Sequence, residues 1–140
     1  MIFKGQTLTV TLEDNGIGHF VFDAAGSVNK FDQQTIQECK DAAAAINAEP
    51  NIKGVLFKSA KPMFIVGADI TEFLETFKND EETLVEWVRK SSDMFDAIED
   101  IKVPTITAIN GFALGGGFEL CLATDMRISD QTAQVGLPEN

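Results

Sequence analysis

Residues Ile109 to Ala123 read INGFALGGGFELCLA. The residues before them, Pro104 to Ile109, are β-branched and predict a strand. Asn110-Gly111 is a turn signal. Ala113 to Gly117 is glycine-rich, and Phe118 to Thr124 predicts a helix. Free N–H groups at a helix N-terminus make a site for negative charge. The triplet Gly115-Gly116-Gly117 is neither G-x-G-x-x-G nor a phosphate-binding P-loop, and no Lys-Ser or Lys-Thr follows it. Two readings stand. One is a tight strand-to-helix turn with close packing. The other is half of an oxyanion hole, in which two backbone N–H donors from different loops meet at one carbonyl oxygen.

A second segment could supply the other donor. Phe64-Ile65-Val66-Gly67-Ala68-Asp69-Ile70 is an apolar piece running into a Gly-Ala turn before a helical stretch. Glycine there allows close approach of backbone to a ligand. Two carboxylates complete the candidate set. Glu119 follows the glycines directly, and Glu139 sits in Gly136-Leu137-Pro138-Glu139. The plain alternative for Glu119 is a solvated acid in the first turn of a helix, where the macrodipole favours it. A solvated loop acid is the alternative for Glu139. Two carboxylates beside an oxyanion site fit proton transfer next to a carbonyl.

Outward from these segments the chain alternates strands and helices. Leu8 to Leu12 alternates apolar and polar residues, Asp14-Asn15-Gly16 turns, and Ile17 to Phe22 follows, which predicts a hairpin. Asp32 is placed to cap a helix with Ile36, Cys39, Ala43 and Ile46 at three- and four-residue spacing. Glu49-Pro50-Asn51 ends it. Gly54 to Lys58 predicts a short strand, Thr71 to Phe77 a short helix and Glu81 to Ile98 a longer one. On the last, Leu84, Trp87 or Val88, Phe95 and Ile98 form an apolar side that reads as core. Arg127-Ile128 is strand-like, and Val135 to Asn140 reads as a tail. This alternation indicates an α/β domain.

Composition bounds the function. The chain has 140 residues, 44% hydrophobic and 24% charged, which suits one folded domain. Its 22 acidic and 11 basic residues give a net charge of −11. That excess argues against nucleic acid and anionic lipid as partners, because both require clustered Lys and Arg. Cys39 and Cys121 have neither metal-ligand nor disulfide-framework spacing and read as buried reduced thiols. The single histidine, His19, has no second histidine to share a metal, and no Ser lies in a G-x-S-x-G context. No metal site is expected. Met1 to Gln6 does not begin a targeting segment. The apolar stretch from Val103 to Met126 carries Pro104, Asn110, glycines and Glu119, so no transmembrane span is expected, and the chain reads as cytoplasmic.

Three stretches together resemble the enoyl-CoA hydratase/isomerase (crotonase) superfamily: Gly26-Ser27-Val28-Asn29-Lys30, FIVGADITEF from Phe64 to Phe73, and INGFALGGGFELCLA from Ile109 to Ala123. Gly136-Leu137-Pro138-Glu139 lies where the family carries its second glutamate. The resemblance implies a crotonase (ClpP-like) spiral of ββα units and a coenzyme A thioester as substrate. By motif position it implies that the N–H groups of Ala68 and Gly116 hold the thioester oxygen. It also implies that Glu119 and Glu139 are the two catalytic glutamates. The reactions it implies belong to fatty acid β-oxidation: hydration of a 2-trans-enoyl-CoA and 3-to-2 enoyl-CoA isomerisation.

A closer likeness still is to the multifunctional bacterial β-oxidation branch of the family. There a later domain is an NAD-dependent 3-hydroxyacyl-CoA dehydrogenase and the partner is a thiolase β subunit. No cofactor is therefore expected in residues 1–140, NAD belonging to the dehydrogenase domain. The family domain continues beyond its second glutamate, so the chain reads as a fragment with little or no activity of its own. A non-catalytic acyl-CoA-binding or assembly module on the same fold is the alternative.

Overall fold

The computed structural model describes residues 1–69, 72, 74, 75, 78 and 80–138. The hairpin forms as the alternation predicts. β2 (Leu8–Leu12) pairs antiparallel with β3 (Ile17–Phe22), and the short β1 (Phe3–Lys4), which the sequence pattern did not reveal, adds to the outer edge of β2. From β3 onward the pairing is parallel. β3, β4 (Gly54–Ser59), β5 (Thr105–Ile109) and β7 (Met126–Ser129) complete a six-stranded sheet in the order β1-β2-β3-β4-β5-β7. Parallel neighbours need long crossovers, and helices supply them. α1 (Gln33–Ala48) joins β3 to β4, and α2 (Glu81–Glu99) leads into β5. α3 (Gly116–Ala123) leads into β7.

Both long helices start where a side chain satisfies an orphan N–H. Asp32 accepts from Thr35 N–H at 2.7 Å, and Asp80 from Thr83 N–H at 2.8 Å. α1 ends at Ala48, ahead of Pro50, as expected. Of the helix expected over 71–77, Glu72, Leu74 and Glu75 are helical, and the remaining positions lie outside the described residues. α3 begins at Gly116, two residues earlier than the propensities predict, because close packing of the glycines outweighs their poor helix propensity. The expected tail also differs. Gln134–Gly136 is a strand, β8, paired in parallel with β6 (Phe112–Leu114).

A second, shorter layer carries the site. Phe31 bridges Ala68, Ile65 bridges Ala113 of β6, and β6 pairs with β8, all in parallel. The parallel strands β3, β4 and β5 are thus each followed by a short extended piece of this layer and then by helix. β3, Phe31 and α1 make one turn, and β5, β6 and α3 make another. This repetition is a spiral of ββα units within the α/β class. The core lies between the sheet and the helices, with Phe20 stacked on Phe57 at 4.4 Å between ring centres. Phe22 meets both Phe31 and Phe64 edge-on, so an aromatic series runs from the core toward the second layer. Cys39 and Cys121 are buried and unpaired with each other. No described helix is long and apolar enough to cross a membrane.

Candidate active site

The Gly67–Ala68 peptide faces two ways. A trans peptide points its carbonyl and its N–H in opposite directions, and the chain has no cis bonds among the described residues. Gly67 O accepts from Phe31 N–H at 2.8 Å. Ala68 N–H is therefore turned away from Phe31, and it has no hydrogen-bond partner among the described residues. Asp69 N–H turns back to Phe31 O at 3.0 Å, which pins the far side of Ala68. These two bonds are those of a parallel bridge between Phe31 and Ala68, entered through Gly67 at φ +107°, a left-handed backbone open to glycine.

The Gly115–Gly116 peptide repeats the device. Gly115 O accepts from Glu119 N–H at 2.9 Å, the first bond of α3. Gly116 N–H consequently points out of the helix N-terminus. Gly115 takes φ 55° and caps the helix without a side-chain hydrogen bond, leaving that end open. Close packing fixes the helix. A Cβ on Gly117 would lie 2.2 Å from the carbonyl oxygen of Ile65, so only glycine lets α3 rest on the strand that leads to Ala68.

Both peptides line one cavity of about 460 Å³. Gly67, Ala68, Gly115, Gly116 and Glu119 line it together with Phe31, Ile36, Trp87, Ser91, Met94 and Phe95, and the Phe31 ring lies directly against Gly116. Glu119 sits in the first turn of α3 with its carboxylate unpaired among the described residues. It is the only charged residue among the described residues lining the space. The structure thus brings Ala68, Gly116 and Glu119 together. Glu139 lies outside the described residues; its neighbour Pro138 lines the same cavity. A backbone hydrogen bond from Gly115 N–H to Gly136 O at 3.0 Å ties the strand before Pro138 to the glycine turn.

Asn29 holds the Ala68 side in place. Its buried amide donates to Phe22 O at 3.3 Å, Ser59 Oγ at 2.8 Å and Phe64 O at 3.2 Å, and accepts from Ala24 N–H at 3.0 Å. Its own carbonyl accepts from Val66 N–H at 3.1 Å. An ion pair of Lys30 with Asp69 at 3.1 Å closes the outer edge.

Sequence reasoning singled out Asn29 only within a motif and missed the aromatic lining of the cavity. Trp87 and Phe95 read as core, yet both line the cavity, while Val88 points outward at 52% exposure. The three- and four-residue spacing of Trp87, Ser91, Met94 and Phe95 was the available signal. Among the described residues no group of three or more His, Cys, Asp or Glu could hold a metal ion. His19 instead pairs with Glu13 on the hairpin. Two unpartnered N–H donors and a carboxylate on residues lining one largely apolar cavity have the chemistry to stabilise negative charge on an oxygen and move a proton near it.

Comparison with known proteins identifies the family and the fold. The chain is 55% identical over 139 residues to the fatty acid oxidation complex subunit alpha of Colwellia psychrerythraea, covering 99% of this chain and 19% of that one. It is 49% identical over 140 residues to the subunit of the same name from Acinetobacter baylyi, covering 99% and 20%. The chain therefore spans about a fifth of the length of these relatives. Among solved structures, an enoyl-CoA hydratase from Bacillus anthracis superposes with a TM-score of 0.87 at 30% identity, over 96% of this chain and 51% of that one. An enoyl-CoA hydratase from Shewanella pealeana superposes with a TM-score of 0.87 at 25% identity, over 92% and 48%. Residues 13–140 match the enoyl-CoA hydratase/isomerase family along nearly the whole sequence, and the chain belongs to that family.

Proposed function

We propose that this chain carries the hydratase/isomerase site of a fatty acid β-oxidation enzyme. That site converts 2-trans-enoyl-CoA to 3-hydroxyacyl-CoA and shifts 3-enoyl-CoA to 2-enoyl-CoA. Supporting the proposal, Ala68 and Gly116, whose N–H groups have no partner among the described residues, line the same cavity as Glu119. In this reading the thioester oxygen accepts from both N–H groups. Adding or removing a proton at the α-carbon passes through enolate-like charge on that oxygen, so the donors act most strongly in the transition state. Each is worth on the order of 3 kcal/mol.

Glu119 positions and helps activate the water whose oxygen bonds to the β-carbon. Glu139 delivers the proton to the α-carbon; in isomerisation it removes an α-proton to form the enolate, and a proton returns at the γ-carbon as the double bond moves. Holding the water between two carboxylates removes much of the entropic barrier to addition. NAD chemistry belongs to a dehydrogenase domain elsewhere in such a protein, and a thiolase β subunit is the partner. The compartment is the cytoplasm.

The test is hydration of crotonyl-CoA by this chain and by the longest polypeptide its gene encodes. Turnover that falls about 100-fold or more in Glu119→Gln and in Glu139→Gln, with KM little changed, supports the assignment. Acyl-CoA binding without turnover at either length replaces it with a non-catalytic binding module.

A further inference from the structure

Trp87 stands between two spaces. On one side is the cavity of about 460 Å³, and on the other a smaller pocket of about 150 Å³ lined by Gln33, Ile36, Gln37, Trp87 and Lys90. Only Trp87 and Ile36 border both, so together they are the partition. Ile36 is buried in the core, whereas the part of α2 around Trp87 meets the body along one face. Val85 and Val88 on either side of Trp87 are 48% and 52% exposed. The indole is thus the removable half of the wall.

The chemistry of the chamber says what reaches that wall. With the thioester oxygen at Ala68 and Gly116, one arm of the substrate carries amides and phosphates and the other is hydrocarbon. Apart from Ser91 and Glu119 the side chains lining the cavity are aromatic or aliphatic, and no cation among the described residues lines it to meet a phosphate. Apolar surface of this kind favours the hydrocarbon arm. Resting on the hydratase/isomerase reading above, we infer that Trp87 is a specificity-determining residue that ends the acyl chamber and limits the length of chain it accepts. Beyond it, Ile36 and the aliphatic stems of Gln33, Gln37 and Lys90 border the smaller pocket, into which a longer chain extends once the indole is gone.

The test uses two readouts. Trp87 is the single tryptophan of a sequence without tyrosine, so its emission reports directly on the wall. In any longer form, the emission difference between native protein and Trp87→Phe isolates it. Titration with butyryl-, octanoyl-, dodecanoyl- and hexadecanoyl-CoA, with free CoA as reference, is expected to move the emission only once the chain reaches the indole. In the full polypeptide, Trp87→Ala is expected to raise kcat/KM for the hexadecenoyl over the octenoyl thioester by about tenfold or more. Trp87→Phe shifts the ratio the same way by less, and Val88→Ala leaves it unchanged.

Calorimetric binding of every acyl-CoA with an emission change identical to that of free CoA overturns the inference while leaving the hydratase reading intact. So does an unchanged chain-length ratio in a folded Trp87→Ala. Failure of any acyl-CoA to bind defeats both. Should Trp87→Ala not fold, the native titration and Trp87→Phe decide.

Discussion

Thr7 donates twice to one carboxylate oxygen of Glu38, through its N–H at 2.9 Å and its hydroxyl at 2.5 Å, across 31 residues of sequence. Gln6 N–H donates to the other oxygen at 2.6 Å. The carboxylate of α1 thereby fastens the turn between β1 and β2. Gly5 makes room for it, since a Cβ there would stand 2.5 Å from the Glu38 carboxyl carbon.

Burial pushes the Glu38 carboxyl up, but the Thr7 hydroxyl and the Gln6 and Thr7 N–H groups together pull it further down, below its ordinary value of 4.5. A carboxyl lowered in the folded state contributes stability that is complete above its unfolded value and is lost as pH falls through the folded one. Denaturant unfolding is therefore expected to show a loss of stability as pH drops from about 5 toward about 3, and Glu38→Gln to lose that component. Glu38→Ala, which strands two N–H groups, is expected to cost on the order of 3 kcal/mol at neutral pH. An identical pH profile in Glu38→Gln would remove the carboxylate from this role.

Adjacent glycines are expected to respond differently to the same change. Gly117→Ala sets a methyl 2.2 Å from a backbone oxygen that cannot rotate away, and a loss above about 3 kcal/mol follows from overpacking. Gly116→Ala meets the Phe31 ring at 3.0 Å, a side chain able to give slightly. There the gain in helix propensity, about 1 kcal/mol, offsets the crowding. Thermal melts of the two variants should separate clearly, and equal melting temperatures would contradict the packing argument.

Asn29→Ala leaves the carbonyls of Phe22 and Phe64 and the N–H of Ala24 without their amide partner. The expected cost is about 2 kcal/mol. Displacement of the 64–68 strand also misaims Ala68 N–H, so in an active form kcat falls more than KM rises. Asn29→Asp is expected to be worse at neutral pH, because its charge faces two carbonyl oxygens. Steady-state kinetics beside denaturant melts separate the two effects; a variant unstable yet kinetically normal would leave Asn29 with a purely structural role.

Burial pushes the Cys121 thiol up to about 12 and raises Cys39 well above its ordinary value. Neither forms appreciable thiolate near neutrality, and thiolate is the reactive species. Labelling with a thiol reagent at about pH 8 should be slow in the native protein and should accelerate only with unfolding. Rapid modification of either cysteine in folded protein would contradict the burial.

Local rules made much of the fold legible. The Asp32 cap needs only its own first turn, and the hairpin needs only Asp14-Asn15-Gly16 between alternating strands. What escaped was set by distant neighbours. β8 is a strand because β6, more than 20 residues earlier, pairs with it at Phe112↔Gln134. α3 starts early because Ile65 leaves Gly117 no room for a side chain. Periodicity placed Trp87 and Phe95 on an inward face, but it does not say whether the space they face is filled. For the candidate site, Ala68, Gly116 and Glu119 were legible through motifs, and the structure joins them in one cavity; Glu139 remains a proposal.

In the proposed site the donors at Ala68 and Gly116 are main-chain N–H groups, which nearly every codon specifies alike. Proline alone among the encoded residues lacks an N–H. In a saturation scan of the gene, loss of function should accordingly cluster at positions that rotate or seat the peptide planes: Gly67, Gly115, Gly117 and Asn29. Ala68 itself should accept several small side chains. The genetic map of the site would then lie beside its chemistry, with the most sensitive codons encoding residues that donate nothing to the cavity.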